Sequence, residues 1–148
     1  MTRRVHSDVM CLVDGDAAGV GYVATLKQLP SPPKVVFAWP SDWTMESVLA
    51  WIAEANSAEA LSKLGIALSA KFANSAALKI YLEAHKTYMP VHERTAEVLA
   101  GIAECRARTA QLLNDIADVA RGATGSPKHL VEWPQQSTAT TKVWQLNP

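Results

Sequence analysis

Two aspartates that could hold a metal cation, Asp14 and Asp16, stand two residues apart directly after an apolar run. The run, residues 9–13, is rich in valine and bounded by glycine, which is typical of a buried parallel strand. The carboxyl ends of such strands form the edge of an open α/β sheet at which ligands bind. Two carboxylates in one turn repel each other, and no basic residue follows until Lys27, so the pattern favours Mg²⁺ or Mn²⁺ as their partner.

Other uses of this kind of segment fit less well. An EF-hand calcium loop that began at Asp14 would need an oxygen ligand and a glutamate at the positions where Ala18 and Thr25 stand. The glycines of the segment do not have the spacing of a phosphate-binding G-x-G-x-x-G loop. A purely structural alternative stays open, in which the segment is an Asp–Gly turn and one aspartate caps the next helix.

The segment Asp14-Gly15-Asp16-Ala17-Ala18-Gly19 fits the pattern D-x-D-x-x-G and resembles the second acidic motif of TOPRIM domains. Its amino-acid sequence most resembles that of the OLD-family endonucleases, in which an ATPase domain is joined to a TOPRIM nuclease. The resemblance covers roughly the first third of the chain. It implies Mg²⁺-dependent hydrolysis of DNA phosphodiesters, with Asp14 and Asp16 as the catalytic metal-binding pair and Gly19 as the turn glycine.

The sequence departs from the TOPRIM pattern before the acidic motif. Such domains begin with a strand that carries an essential glutamate, whereas the first glutamate here is Glu46, and no P-loop is present. We therefore expect the metal-binding half of a nuclease, weak or inactive alone. A protein partner or a missing N-terminal segment would supply the glutamate and the ATPase. The alternatives are a non-catalytic protein-interaction module or degenerate remnant, and another Mg²⁺-dependent phosphotransfer or phosphatase domain.

A βαβ unit is predicted to bring further carboxylates to the acidic turn. Residues 17–29 have helical spacing before Pro30, and residues 34–39 form a second apolar strand. Because parallel strands end at the same edge, the loop after this strand should emerge beside Asp14 and Asp16. Asp42 and Glu46 are the candidate additional metal ligands, with Glu46 also a candidate catalytic residue. The structural alternative is that Asp42 caps the next helix and that Glu46 interacts favourably with the dipole of that helix.

The rest of the chain is predicted to be mainly helical. Helices are expected over residues 44–55, after Ser57, after Asn74 and over residues 91–121, where the apolar spacing approaches a heptad seam. The resemblance implies a catalytic lysine in the segment after the sheet, and the candidates are Lys71, Lys79 and Lys86. For each of them, the favoured alternative is a solvated lysine on a helix surface. His85 and His92 are expected to be structural or exposed.

The predicted architecture is a helix-rich α/β fold, with a partial Rossmann-like, TOPRIM-type parallel sheet followed by a helical extension. The expected domains are a βαβ unit with its following helix at residues 1–56, a helical extension at residues 57–122 and an irregular tail at residues 123–148. Residues 142–146 could add a short edge strand. An open sheet edge would call for a partner or a homo-oligomer.

Composition restricts the class of protein and the partners that the chain can bind by itself. Of the 148 residues, 49% are apolar and 19% are charged, which is typical of a globular domain. The formal net charge is zero, so we expect the chain alone to bind DNA weakly. No secretory signal or apolar run of membrane-spanning length is present, which predicts a cytoplasmic protein with reduced Cys11 and Cys105 and no membrane contact.

Overall fold

The computed structural model describes residues 10–148, which divide into two compact units. Residues 10–44 and 112–148 form one of them, here named the sheet unit, and residues 45–111 form the other, the helical unit. The predicted boundaries at residues 56 and 122 therefore differ from the observed ones. The reason is that the C-terminal part of the chain pairs with the N-terminal strands. Val9, the predicted start of the first strand, lies outside the described residues.

The sheet unit contains a mixed sheet of four short strands. These are β1 (Cys11–Val13), β2 (Val35–Ala38), β3 (Leu130–Glu132) and β4 (Lys142–Leu146). The order is β1-β2-β4-β3, in which β1, β2 and β4 are parallel and β3 is antiparallel to β4. The α/β class and the parallel pairing of the first two strands are confirmed. The sheet is larger than the two-stranded parallel one that the sequence predicted.

The strand expected at residues 142–146 is confirmed as β4, but the rest of residues 123–148 is not wholly irregular, since it contains β3. Strand β4 is not at the edge of the sheet, because it lies between β2 and β3. The Thr141 hydroxyl donates to the carbonyl of Pro33 at 2.8 Å, and Val143 is fully buried as the partner of Val36. These contacts join segments about a hundred residues apart, so no local pattern could reveal them.

Helix α1 (Ala17–Lys27) confirms the predicted βαβ unit between β1 and β2. Its residue Val23 packs against Val36 and Val143, and partly buried apolar side chains surround this core: Cys11, Val13 and Leu26. The helix therefore covers one face of the sheet and begins directly after the acidic turn.

The helical unit consists of α2 (Met45–Ala53), a 3₁₀ turn (Glu54–Asn56), α3 (Ser57–Ala67), α4 (Ser75–Ala84), α5 (Met89–Ala100) and the first part of α6 (Ala103–Ala120). Helix α2 is its centre, since every residue except Met45 is buried, and it packs against both α4 and α5. The predicted cap at Asn74 is confirmed, because its side chain accepts the Ala77 N–H at 2.9 Å. The cap of α3 is Asn56 rather than Ser57.

The predicted single helix over residues 91–121 is two helices, α5 and α6. The break lies at Gly101 and Ile102, where the Gly101 N–H is shared between the carbonyls of Glu97 and Val98. Inside a helix glycine costs about 1 kcal/mol relative to alanine, and here Gly101 is the C-cap of α5. A continuous heptad seam is therefore absent from this part of the chain. Among residues 10–148, no helix has both the length and the apolar character needed to cross a membrane.

Candidate acidic site at the end of β1

Asp16 caps helix α1. Its backbone is extended, and its Oδ1 accepts the Gly19 N–H at 2.8 Å, which satisfies one of the unpaired donors at the start of the helix. The capping role that the sequence left open is therefore confirmed for Asp16. The bond engages one oxygen of the carboxylate, so the other can still act as a ligand, and the bond fixes the orientation of the group.

Gly15 and Gly19 pack the acidic turn without room for a side chain. A Cβ on Gly15 would lie 1.6 Å from the Pro40 carbonyl oxygen. A Cβ on Gly19 would lie 1.7 Å from the carbonyl oxygen of Asp14, which shows how closely the first turn of α1 approaches the end of β1. Glycine is therefore required at both positions by contact between backbones.

The loop after β2 lies directly beside the acidic turn, as parallel pairing of the strands predicts. The Gly15 N–H donates to the Trp43 carbonyl at 2.7 Å, and the Asp42 N–H donates to the Gly15 carbonyl at 2.9 Å. Asp42 is exposed and has φ of +63°, a conformation that aspartate tolerates better than most residues. Asp14, Asp16 and Asp42 thus belong to two adjoining turns at one edge of the sheet.

Glu46 belongs to the helical unit, in the first turn of α2. It is only 4% exposed, and its Oε1 lies 3.1 Å from Nε2 of His92 on α5. The Nδ1 atom of His92 is buried and has no hydrogen-bond partner among the described residues. The role of Glu46 as a metal ligand stays a prediction. The contact with His92 was missed by the sequence reasoning, because 46 positions separate the two residues and no motif connects them.

The donor set at the acidic turn is small. Across the described part of the chain, no three His, Cys, Asp or Glu side chains are grouped so that they could hold a metal ion. Mg²⁺ is commonly bound through one or two carboxylates, with waters and substrate phosphates as its other ligands. Two carboxylates are the number of protein ligands that such a site commonly uses, and Mg²⁺ binding by Asp14 and Asp16 stays a prediction.

A small cavity of about 30 Å³ adjoins the acidic turn within the sheet unit. Its lining includes Asp14, Gly15 and Ser41, and also Trp133 and Gln136 from the connection between β3 and β4. Sequence reasoning missed the last three of these residues. The one signal in the sequence is the pair Trp133 and Trp144, whose large apolar side chains indicate that the C-terminal segment packs on the rest of the fold.

The candidate lysines all lie in the helical unit. Lys79 contacts Glu83 at 3.6 Å on the surface of α4, and both Lys71 and Lys86 are exposed. His85 contacts the Tyr81 carbonyl at 2.7 Å through Nδ1, which is a local helix-end contact. These surroundings are those of surface residues, and a catalytic lysine among them remains a prediction.

Comparison of the chain with protein-family profiles, with curated proteins and with solved structures found no match. The TOPRIM resemblance therefore stays a prediction that depends on the acidic motif.

Proposed function

We propose that the sheet unit is the metal-binding half of a TOPRIM-type, Mg²⁺-dependent nuclease that acts on DNA phosphodiesters. One observation carries the proposal: Asp14 and Asp16 occupy a tightly packed turn at the carboxyl end of a strand within a parallel pair, where α/β sheets bind their ligands. The loop that carries Asp42 is hydrogen-bonded to the same turn.

Asp14 and the uncapped oxygen of Asp16 would hold Mg²⁺ or Mn²⁺, and Asp42 would complete the site. Glu46 stays a further candidate as ligand or catalytic residue. The bound cation would polarise the scissile phosphate and lower the pKa of a bound water. The contribution of the chain itself is to fix the carboxylates: the Gly19 N–H orients Asp16, and the backbone contacts of Gly15 hold the loop of Asp42 in place.

A partner is part of the proposal. A zero net charge gives the chain little long-range attraction for DNA, so substrate affinity would come largely from a partner or from a further segment that carries the TOPRIM glutamate and the ATPase. Cys11 and Cys105 are free thiols, which suits the reducing cytoplasm in which such an enzyme would work.

Nicking of supercoiled plasmid in Mg²⁺ or Mn²⁺ tests the proposal. The wild type is compared with an Asp14→Asn, Asp16→Asn double variant, and with Asp118→Asn as a control at an exposed acid on α6. Nicking that only the double variant loses would support the proposal. If no protein nicks DNA, Mn²⁺ titration followed by electron paramagnetic resonance decides. Binding lost in the double variant alone supports a metal-binding half, and absence of binding by the wild type rejects it.

A second candidate function is a non-catalytic interaction module, whose partner is another protein or a second copy of the chain. The observation that favours it is the edge strand β1, which pairs only with β2 in the described sheet. About half of Leu12, in this strand, and of Met10, which precedes it, is exposed. An open strand edge with apolar side chains is a site at which another chain can pair. A wild type that self-associates but takes up no Mn²⁺ would favour this function.

A further inference from the structure

The cavity beside the acidic turn joins two segments that the sequence keeps far apart. Asp14 and Ser41 come from the turns after β1 and β2, and Gln136 comes from the connection that precedes β4. Most of the other lining residues are apolar, including Val20 and Val23 of α1. Apart from the two tryptophans, the lining residues that carry a polar side chain are Asp14, Ser41 and Gln136.

The polar group that Gln136 can offer to the cavity is its side-chain amide. Its backbone N–H donates to the Trp133 carbonyl at 3.0 Å, and its carbonyl accepts from Nζ of Lys27 at 3.0 Å. Both backbone groups are therefore engaged. The bond from Lys27 holds this turn against α1, and the Trp133 N–H, which donates to the Val143 carbonyl at 2.8 Å, holds it against β4.

The size and polarity of the cavity determine what can occupy it. A volume of about 30 Å³ is too small for a nucleotide and large enough for one or two waters. A water bound there needs two to four polar partners, and the side chains of Asp14, Ser41 and Gln136 together carry enough polar groups for that number. We infer that Gln136 is a positioning residue for Asp14 and acts on it through a water held in this cavity.

This inference rests on the proposed function, because it gives Gln136 a role in the metal site. A carboxylate that ligates a metal is oriented by the hydrogen bonds around it, and loss of such outer partners lowers metal affinity. The water would hold the Asp14 carboxylate at its inner side, so that its outward side meets the cation. The amide of Gln136 would hold the water.

Mn²⁺ titration with electron paramagnetic resonance detection tests the role of Gln136. Gln136→Leu removes the amide at similar size, Gln136→Glu keeps an oxygen at the same reach, and Gln135→Leu is the matched control at the exposed neighbour, which does not line the cavity. We expect Gln136→Leu to bind Mn²⁺ about tenfold more weakly, with Gln136→Glu and Gln135→Leu close to the wild type. Near-ultraviolet circular dichroism checks that each variant is folded.

Equal Mn²⁺ affinity in folded Gln136→Leu and the wild type would overturn the inference and leave the proposed function intact. If the wild type takes up no Mn²⁺, the proposed function fails, and the water itself is then examined in a high-resolution crystal structure. A solvent oxygen in contact with both Asp14 and Gln136 would keep the structural part of the inference. A cavity closed by side chains, or one without that oxygen, would reject it.

Discussion

Nε2 of His92 lies 3.1 Å from Oε1 of Glu46, and this contact joins α5 to the buried helix α2. The two side chains are only 12% and 5% exposed. Replacement of His92 removes one contact of the buried Glu46 carboxylate, so we expect His92→Phe to lower the free energy of unfolding by about 2–3 kcal/mol. Urea denaturation followed by circular dichroism measures the loss. Glu93→Gln, at the exposed next residue of α5, should stay within about 0.5 kcal/mol of the wild type, and a similar loss in both variants would contradict the prediction.

The same pair tests the predicted metal role of Glu46. Glu46→Gln keeps a hydrogen-bonding group at the position of the carboxylate and removes its charge. If Glu46 is a ligand, Mn²⁺ affinity should fall about as far as in Asp14→Asn. Unchanged Mn²⁺ affinity together with lower stability would leave Glu46 as the buried partner of His92 and remove it from the candidate site.

Two substitutions at Asp16 separate its capping role from its proposed role as a ligand. Asparagine retains an oxygen that can accept the Gly19 N–H, so Asp16→Asn should change stability by less than about 0.5 kcal/mol. Asp16→Ala loses the cap and should cost about 1 kcal/mol. Both variants should lose Mn²⁺ binding, because both lack the carboxylate. Thermal melting and Mn²⁺ titration give the two readouts, and Mn²⁺ binding retained by Asp16→Asn would show that this residue is only a cap.

The three glycines around the acidic turn should respond to alanine in opposite ways. Gly19→Ala places a Cβ 1.7 Å from the Asp14 carbonyl oxygen, so the start of α1 must move, and we expect a loss of about 3 kcal/mol or more. Gly15→Ala should behave similarly against Pro40. Gly21 has nothing within 4 Å of an added Cβ, and in this helical position Gly21→Ala should stabilise the protein by about 0.5–1 kcal/mol. Urea denaturation compares the three variants, and equal effects at Gly19 and Gly21 would argue against the close packing of α1 on β1.

Burial raises the pKa of the Cys105 thiol above its ordinary value. The folded protein therefore holds this proton more tightly than the unfolded chain. The resulting stability is complete below the pKa of the unfolded thiol and is lost as the pH rises through the folded pKa. We expect the melting temperature to fall as the pH rises above about 8.5, and to fall less steeply in Cys105→Ala.

Alkylation provides an independent check on Cys105. Cys11 is half-buried, whereas Cys105 is fully buried, so iodoacetamide should modify Cys11 first at mildly alkaline pH. Peptide mass spectrometry measures the order of modification. Equal rates at the two thiols would contradict the buried position of Cys105.

The sequence by itself determined the elements whose signals are local. The apolar runs that became β1 and β2, the proline that follows α1 and the asparagine that caps α4 each act within a few residues of chain. The position of Asp42 beside the acidic turn could also be predicted, because parallel strands end at one edge of a sheet. The class of the fold followed from these elements.

Tertiary structure alone decided what depends on contacts between distant segments. Strand β4 becomes an inner strand because it pairs with β2 and because the Thr141 hydroxyl bonds to the Pro33 carbonyl. The partners in these contacts are too far apart in the sequence for a local pattern to show them together. The pairing of Glu46 with His92, and the cavity shared by Asp14 and Gln136, arise in the same way. The physical reason is that burial and long-range hydrogen bonding choose among locally similar segments. A short run such as residues 142–146 can be recognised as a strand, but its own residues do not reveal which strands it will pair with.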